Sequence, residues 1–397
     1  MKANPQAGGE ATGKARPPKL LERDPLELAA GTMLGVDPSA PPLPTPTASS
    51  ARSVLEQEVL AALARPPCVI GFSGGRNSSA MLAIATAVAR REGQPEPIPL
   101  TWRFPAHPST DESDWQELVI RRLGLRERER LRFGEELEVL GEMATATLRT
   151  HGLLWPPACH VYLPALERAT GGSLLVAEDG HDLLDRWPFA RAQAVLHGRA
   201  RPEARDVLRV GAALAPLPIR RRVGAGYTDA GFPWLRVPAR REVVRRRGGR
   251  LAEPRRWDRW IAWRASHRTV RMAVQSLEML AAAHDVATRR PLLSPRFLAT
   301  IAREGGAAGL GRRPELARRL FGDLVPAEVL GRPGTKAEFG PVLWGSRSRA
   351  FAEAWDGSGV DHELIDADRL REIWAAEPRW LRASAVAQSA WLASANA

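Results

Sequence analysis

An apolar run that stops abruptly at a glycine turn constrains this chain more than any other feature. Val69, Ile70, Gly71 and Phe72 lead into Ser73-Gly74-Gly75-Arg76-Asn77-Ser78-Ser79. Met81, Leu82, Ile84, Ala85 and Val88 follow at helical spacing. The pattern reads as a buried strand, a tight turn and a helix start. Backbone N–H groups of a first helical turn have no intrahelical acceptor, and the helix dipole adds positive potential there. Such a turn is a ready anion site. Gly74 and Gly75 let the backbone approach a phosphate with no Cβ in the way. Ser73, Ser78 and Ser79 can donate hydroxyl hydrogen bonds to its oxygens. A strand-to-helix turn capped by serines is the plainer alternative.

Around this stretch the chain reads as alternating strands and helices. Val54, Leu55, Val59, Leu60 and Leu63 give a helix over 53–64 that Pro66-Pro67 ends. Ile98 to Phe104 reads as a second strand, joined to the first by a right-handed crossover. Ligands of such open sheets sit beyond the strand C-termini, where Ser73 would lie. Ser109 or Thr110 is the expected cap of a helix ending at Gly124, with Asp111 and Glu112 complementing its dipole. A further helix is expected over 135–148, and another over 162–169. Ser173 to Ala177 reads as a third buried strand. It opens into Glu178-Asp179-Gly180-His181-Asp182, which brings carboxylates, a glycine and an imidazole to a second strand end. Helices are expected over 270–287 and 295–303, and through most of 362–397.

With 397 residues and 44% hydrophobic content the chain can bury a sizeable core. The fold class expected is α/β, an open, mostly parallel sheet flanked by helices, with a helix-rich C-terminal half. Residues 1–50, rich in Pro, Ala and Gly and without a signal-peptide core, read as a disordered leader. Residues 51–351 read as the ligand-binding domain and 352–397 as a helical extension. The net charge of +12 comes mostly from arginines spread over amphipathic stretches. Phe232-Pro233-Trp234-Leu235 and Pro254 to Trp260 interleave aromatics with cations. Base stacking is one reading of them. Helices whose arginine stems cover apolar surface are the preferred one, and nucleic acid is disfavoured as a partner. Cys68 and Cys159 have no metal-type spacing, and Cys68 reads as core. No apolar run is long enough to span a bilayer, and the expected location is cytoplasmic.

The two polar strand ends resemble, in order, the signatures of the asparagine synthetase-type ATP pyrophosphatases, whose fold is that of the adenine nucleotide alpha hydrolases. Ser73 to Ser79 is similar to their pyrophosphate-binding loop, with Asn77 where the family has a magnesium-binding Asp. Glu178 to Asp182 is similar to their Gly-Glu-Gly-Gly-Asp-Glu signature. Glu178 matches its first Glu, Gly180 its last Gly, His181 its metal-binding Asp and Asp182 its second Glu. Ser294 stands where the family's Arg-x-Pro-Phe-Leu-Asp element ends in Asp. Lys336, in a glycine-rich loop after a Pro-Ala-Glu-Val-Leu helix, stands where the family has an active-site Lys.

The resemblance implies an ATP-dependent, AMP-forming ligase that adenylates a carboxylate and passes it to an amine. It implies ATP bound by Ser73, Gly74, Gly75, Asn77, Ser78, Ser79 and Gly180. It implies Mg2+ held by a degenerate set of Asn77, His181 and Asp182, and catalysis by Lys336 and Glu178. Glutamine-dependent members carry a cysteine directly after the initiator Met. Here Lys2 follows Met1 and the leader is proline-rich, so ammonia from glutamine is not the expected nucleophile. The closest look-alikes are the macrolactam cyclases of lasso peptide pathways. A peptide substrate is therefore expected, with a precursor-peptide protease or leader-binding protein as a possible partner. The alternative is an inactive homologue that binds a nucleotide or peptide as a scaffold.

Overall fold

The computed structural model describes residues 19–46, 48–177, 187–225, 231–247, 250–311, 313–331, 339–376 and 381–395. Its centre is a five-stranded sheet of β1 (Cys68–Gly71), β2 (Ile98–Arg103), β3 (Glu129–Arg132), β4 (Ser173–Leu175) and β5 (Ala287–Arg289). The spatial order is β3-β2-β1-β4-β5. Every pairing is parallel, with Val69 level with Ile98 on one side and with Leu174 on the other. β1 is thus the central strand, and the chain moves outward from it first to β2 and β3, then to β4 and β5. Buried central strands explain the continuous apolar runs. The edges are polar. β3 reads Glu-Arg-Leu-Arg and alternates between half-buried and exposed positions, which discourages pairing with another chain.

The Arg76–Glu92 helix crosses from β1 to β2 and buries Met81, Leu82, Ile84, Ala85 and Val88. These residues join Ala51–Leu63 and Pro295–Gly305, two helices at the expected places, in a core that also contains Ile70, Phe72 and Leu175. Other helices are displaced from their sequence patterns. The one expected over 135–148 runs Glu142–His151. Residues 135–141 form turns instead, because tertiary partners take their polar groups. Val139 N–H donates to the Leu343 carbonyl at 2.9 Å, and buried Glu138 accepts from the Ser348 N–H and hydroxyl. The helix expected to reach 287 is Arg268–Ala283. Asp285 then takes φ +53° and β5 begins.

The leader is ordered over 19–46, which corrects the expected disorder. Pro25–Ala30 is a helix with Asp24 at its N-cap and a reciprocal capping box from Glu27. Leu26, Ala29 and Ala30 are buried. The Trp234 indole N–H donates to the Ala29 carbonyl at 2.8 Å, and Arg268 pairs with buried Glu27 at 2.8 Å. Farther along, the Asp37 N–H donates to the Ser266 carbonyl at 2.8 Å. Partners more than 200 residues away hold this segment, and local composition gives no sign of them.

Helices of the C-terminal half make a second core. Phe232, Trp234, Trp344, Trp355 and Trp374 are buried there together with Leu26 and Ala30. Trp374 sits 4.7 Å from the Trp355 ring and 6.5 Å from the Trp344 ring, centroid to centroid. Ala367–Ala375 and Leu381–Ala395 are the two helices of the last stretch. Gly31, at the C-cap of the first helix, has φ +61° and lies against the backbone of Arg382. A Cβ at Gly31 would stand 2.0 Å from the Arg382 carbonyl oxygen. Trp257 and Trp260 are also buried and act as packing residues.

Candidate functional site

In an open parallel sheet, the crevice for a ligand lies where successive crossovers leave a strand in opposite directions. Here that point is between β1 and β4, which pair directly with Ile70 level with Leu175. The Ser73–Ser79 stretch starts two residues past the end of β1. Val176 and Ala177 continue from β4 and are buried. The two strand ends therefore adjoin at the sheet's switch point.

The turn after β1 is built by hydroxyl contacts. The Gly75 N–H donates to Ser73 Oγ at 3.2 Å, and the Ser73 N–H donates to Ser78 Oγ at 3.3 Å. The Ser78 hydroxyl donates to the Gly75 carbonyl at 3.2 Å, and the Ser73 and Ser78 hydroxyl oxygens are 3.0 Å apart. Gly75 is the N-cap of the Arg76–Glu92 helix and supplies no side chain. Gly74 has φ +80°, the left-handed region that side chains rarely adopt. A Cβ there would lie 2.8 Å from Gln116 Cγ and 3.2 Å from the Gln116 nitrogen. Ser78 and Ser79 are buried, and among the described residues the Ser79 hydroxyl has no hydrogen-bond partner.

Residues from the neighbouring crossover brace this turn. Gln116 Nε2 donates to the Ser73 carbonyl at 3.1 Å, and the Thr101 hydroxyl donates to the Phe72 carbonyl at 2.9 Å. Trp102 packs its ring over Gly71. Gln116 lies in the Ser113–Leu123 helix, whose N-cap, Glu112, makes no side-chain capping bond. Neither Ser109 nor Thr110 caps it, contrary to expectation: the Thr110 hydroxyl donates to the His107 carbonyl at 2.7 Å. Asp111 instead accepts from the Ser113 N–H at 2.9 Å, from the Ser113 hydroxyl and from Arg103. The Ser113 hydroxyl bond leads the contacts that hold its carboxyl below the usual carboxylate range. Sequence reading did not single out Gln116, Thr101 or Trp102. Each acts through a contact with another strand or helix, and no local pattern marks it.

Of the site residues named from the sequence, Ser73, Gly74, Gly75, Asn77, Ser78 and Ser79 share this one turn and first helical turn. Glu178, Gly180, His181, Asp182 and Lys336 lie outside the described residues. Ser294 is buried and precedes the Pro295–Gly305 helix without capping it. Cys68 and Cys159 are buried free thiols. Burial pushes them up to about 11 and about 12, so neither is poised as a nucleophile.

The turn suits a phosphate-bearing ligand: two glycines, a helix start with a glycine at its N-cap, and converging serine hydroxyls. It suits a magnesium ion less well. That ion prefers hard carboxylate oxygens, and Asn77 offers a neutral amide. Among the described residues no group of three or more His, Cys, Asp or Glu side chains is placed to hold a metal. Nor, among them, is any helix long and apolar enough to cross a membrane. Comparison with known proteins gives one result that bears on this site: the family model described as asparagine synthase matches residues 50–396. No curated protein matches the chain.

Proposed function

The chain belongs to the asparagine synthase family, whose members couple ATP to amide-bond formation, and from that premise we propose that it closes a macrolactam within a peptide. The peptide's side-chain or terminal carboxylate attacks the α-phosphorus of ATP, and the bond to the bridging oxygen breaks so that pyrophosphate leaves. An amine of the same peptide then attacks the acyl carbon. AMP departs with the electrons of the C–O bond, and the amine's proton passes to a base.

The observation that carries this reading is the serine-glycine turn at the β1–β4 switch point. Ser73, Gly74, Gly75, Ser78 and Ser79 are suited to bind the pyrophosphate as it leaves. Donors already fixed by the fold cost little reorganisation as negative charge grows on that group. The family resemblance assigns Lys336 to charge on the α-phosphate and Glu178 to the proton of the amine. Family members use ATP and typically Mg2+. With Asn77 and His181 in the two metal positions the residues do not fit that ion well.

Incubating the full chain with ATP, labelled pyrophosphate and candidate peptides tests the proposal. Peptide-dependent exchange, AMP release and a peptide lighter by one water support a cyclase. Amide formation with a separate amine would retain the ligase and remove the cyclisation.

Asn77 favours a second reading, an inactive homologue that binds a nucleotide or peptide as a scaffold. Removing a carboxylate from the metal position removes charge neutralisation of several kcal/mol in such reactions. Exchange at background in this chain, appearing only when Asp is restored at positions 77 and 181, would support that reading and defeat the cyclase.

A further inference from the structure

The helix Asp206–Leu214 is set on the molecule with its apolar side outward. Val207, Leu208, Gly211 and Leu214 recur at a spacing that puts them on one face. Val207 is 73% exposed, Leu208 80% and Leu214 58%. The opposite face meets the protein. Ala213 is buried and Val210 packs against the core, while Asp206, also buried, pairs with Arg191 at 2.6 Å. The helix thus hides its carboxylate and shows its leucines, the reverse of the usual arrangement for a surface helix. Apolar exposure continues into the Leu217–Ala225 helix, where Ile219 is 54% exposed. Leu196, at the end of the Ala190–Leu196 helix, is exposed as well. Most of the exposed large apolar side chains among the described residues fall in this one stretch. A concentration of that kind marks an interaction surface.

Charge and shape say what covers it. Residues 187–225 contain eight arginines against Glu203 and Asp206. Those two carboxylates are shared among Arg191, Arg205 and Arg209, and Arg221 and Arg222 are exposed farther along. A partner that brings carboxylates around an apolar stripe is therefore complementary. A second copy of the same face would set arginine against arginine. Shape separates a protein from a lipid surface. Nothing lies within 4 Å of where a Gly211 Cβ would stand, so the face carries a notch between Val207 and Leu208 on one side and Leu214 on the other. Such a notch seats a side-chain ridge of a second helix. Acyl chains gain nothing from it, and the exposed apolar side chains of this stretch are all aliphatic, without the aromatic anchors common in interfacial helices.

We propose that the outward face of the Asp206–Leu214 helix is a docking surface for an amphipathic helix of another protein, one whose apolar stripe is flanked by Asp and Glu.

Fluorescence anisotropy on the full chain tests this with a labelled synthetic helix that has leucines at i, i+3, i+4 and i+7 and glutamates elsewhere. It should bind more tightly than the same leucine pattern with lysines and than a scrambled glutamate peptide. Leu208→Gln should weaken it by about tenfold or more with the thermal melt unmoved, because the side chain is exposed. Gly211→Leu should raise the melt, since glycine is a poor helix former, and yet weaken the peptide by filling the notch. Equal binding of the glutamate and lysine peptides, or binding of neither, overturns the proposal, as does an unchanged affinity in Leu208→Gln. Binding to phosphatidylglycerol vesicles that Gly211→Leu strengthens would assign the face to a membrane instead. A concentration-dependent dimer in sedimentation that Leu208→Gln abolishes would assign it to self-association. Either result also overturns the proposal.

Discussion

Ser73 and Ser78 bring their hydroxyl oxygens within 3.0 Å of each other across a five-residue step. The same Ser78 hydroxyl accepts from the Ser73 N–H and donates to the Gly75 carbonyl. One side chain therefore holds both ends of the turn, and it does so before any ligand arrives. Ser78→Ala is expected to destabilise the chain by about 1–3 kcal/mol, the range for orphaning buried hydrogen-bonding groups. Urea unfolding measures this. Pyrophosphate exchange in the same variant should fall further than the lost stability alone explains.

Gly74→Ala is expected to be more damaging to ligand binding than to folding. Left-handed backbone costs a side chain about 1–2 kcal/mol, and the added Cβ would meet Gln116 at 2.8 Å. The turn must open to relieve that contact. Nucleotide affinity, followed by calorimetry beside a thermal melt, should drop by about tenfold or more even where the melt moves only a few degrees.

Asn77→Asp is expected to act in the opposite direction. It restores a hard oxygen donor at the helix start, beside a dipole that favours negative charge. Magnesium-dependent exchange should rise by about tenfold or more, since each ~1.4 kcal/mol of transition-state stabilisation is tenfold in rate. No change on titrating magnesium into this variant would remove position 77 from the metal site.

Glu27 tests the ordered leader. Its carboxylate pairs with Arg268 and accepts from the Leu34 N–H at 2.7 Å. Glu27→Ala leaves a half-buried guanidinium without its partner, a change that costs about 3–5 kcal/mol for a buried pair. Denaturant unfolding gives the loss. Limited proteolysis should cut the 19–46 segment sooner in the variant than in the parent chain.

His267 predicts an acid limb of stability. Burial, with Arg264 and Arg247 nearby, lowers its pKa from 6.5 to about 3. The folded state therefore keeps the ring neutral where the unfolded chain would protonate it. Since the unfolded state binds more protons between these values, stability is present above the unfolded pKa of 6.5 and falls as the pH drops toward 3. Thermal melts across that range should slope downward toward acid, and His267→Gln should flatten the slope.

The sheet and its leading turn were legible because their signals are local. Val69 to Phe72 is an unbroken apolar run, and Met81 to Val88 carries the helical period, so β1 and its crossover helix stand close to where the pattern puts them. β3 and β5 were not legible. Glu129–Arg132 and Ala287–Arg289 are short, polar edge strands that neighbours recruit by backbone pairing, and no periodicity distinguishes them from loop. The serines and glycines of the phosphate turn were legible as a motif. Gln116, Thr101 and Trp102 were not, because each reaches the turn from another element. The disorder expected of 19–46 failed for the same reason: Asp24 and Glu27 form a recognisable capping box, but Trp234 and Arg268, which fix it, are remote in sequence.

The contact of Gly31 with Arg382 sets a timetable for biosynthesis. The Leu381–Ala395 part of the surface that covers the Pro25–Ala30 helix emerges from the ribosome some 350 residues later, which at typical elongation speeds is roughly 20–70 s. For that interval the helix has only its earlier partners around Trp234 and Arg268, and the tryptophan cluster around Trp374 stays incomplete. The sheet, whose last strand ends at Arg289, has no such wait. This second core is therefore the last to mature, and until it closes the Pro25–Ala30 helix is exposed to aggregation and proteases.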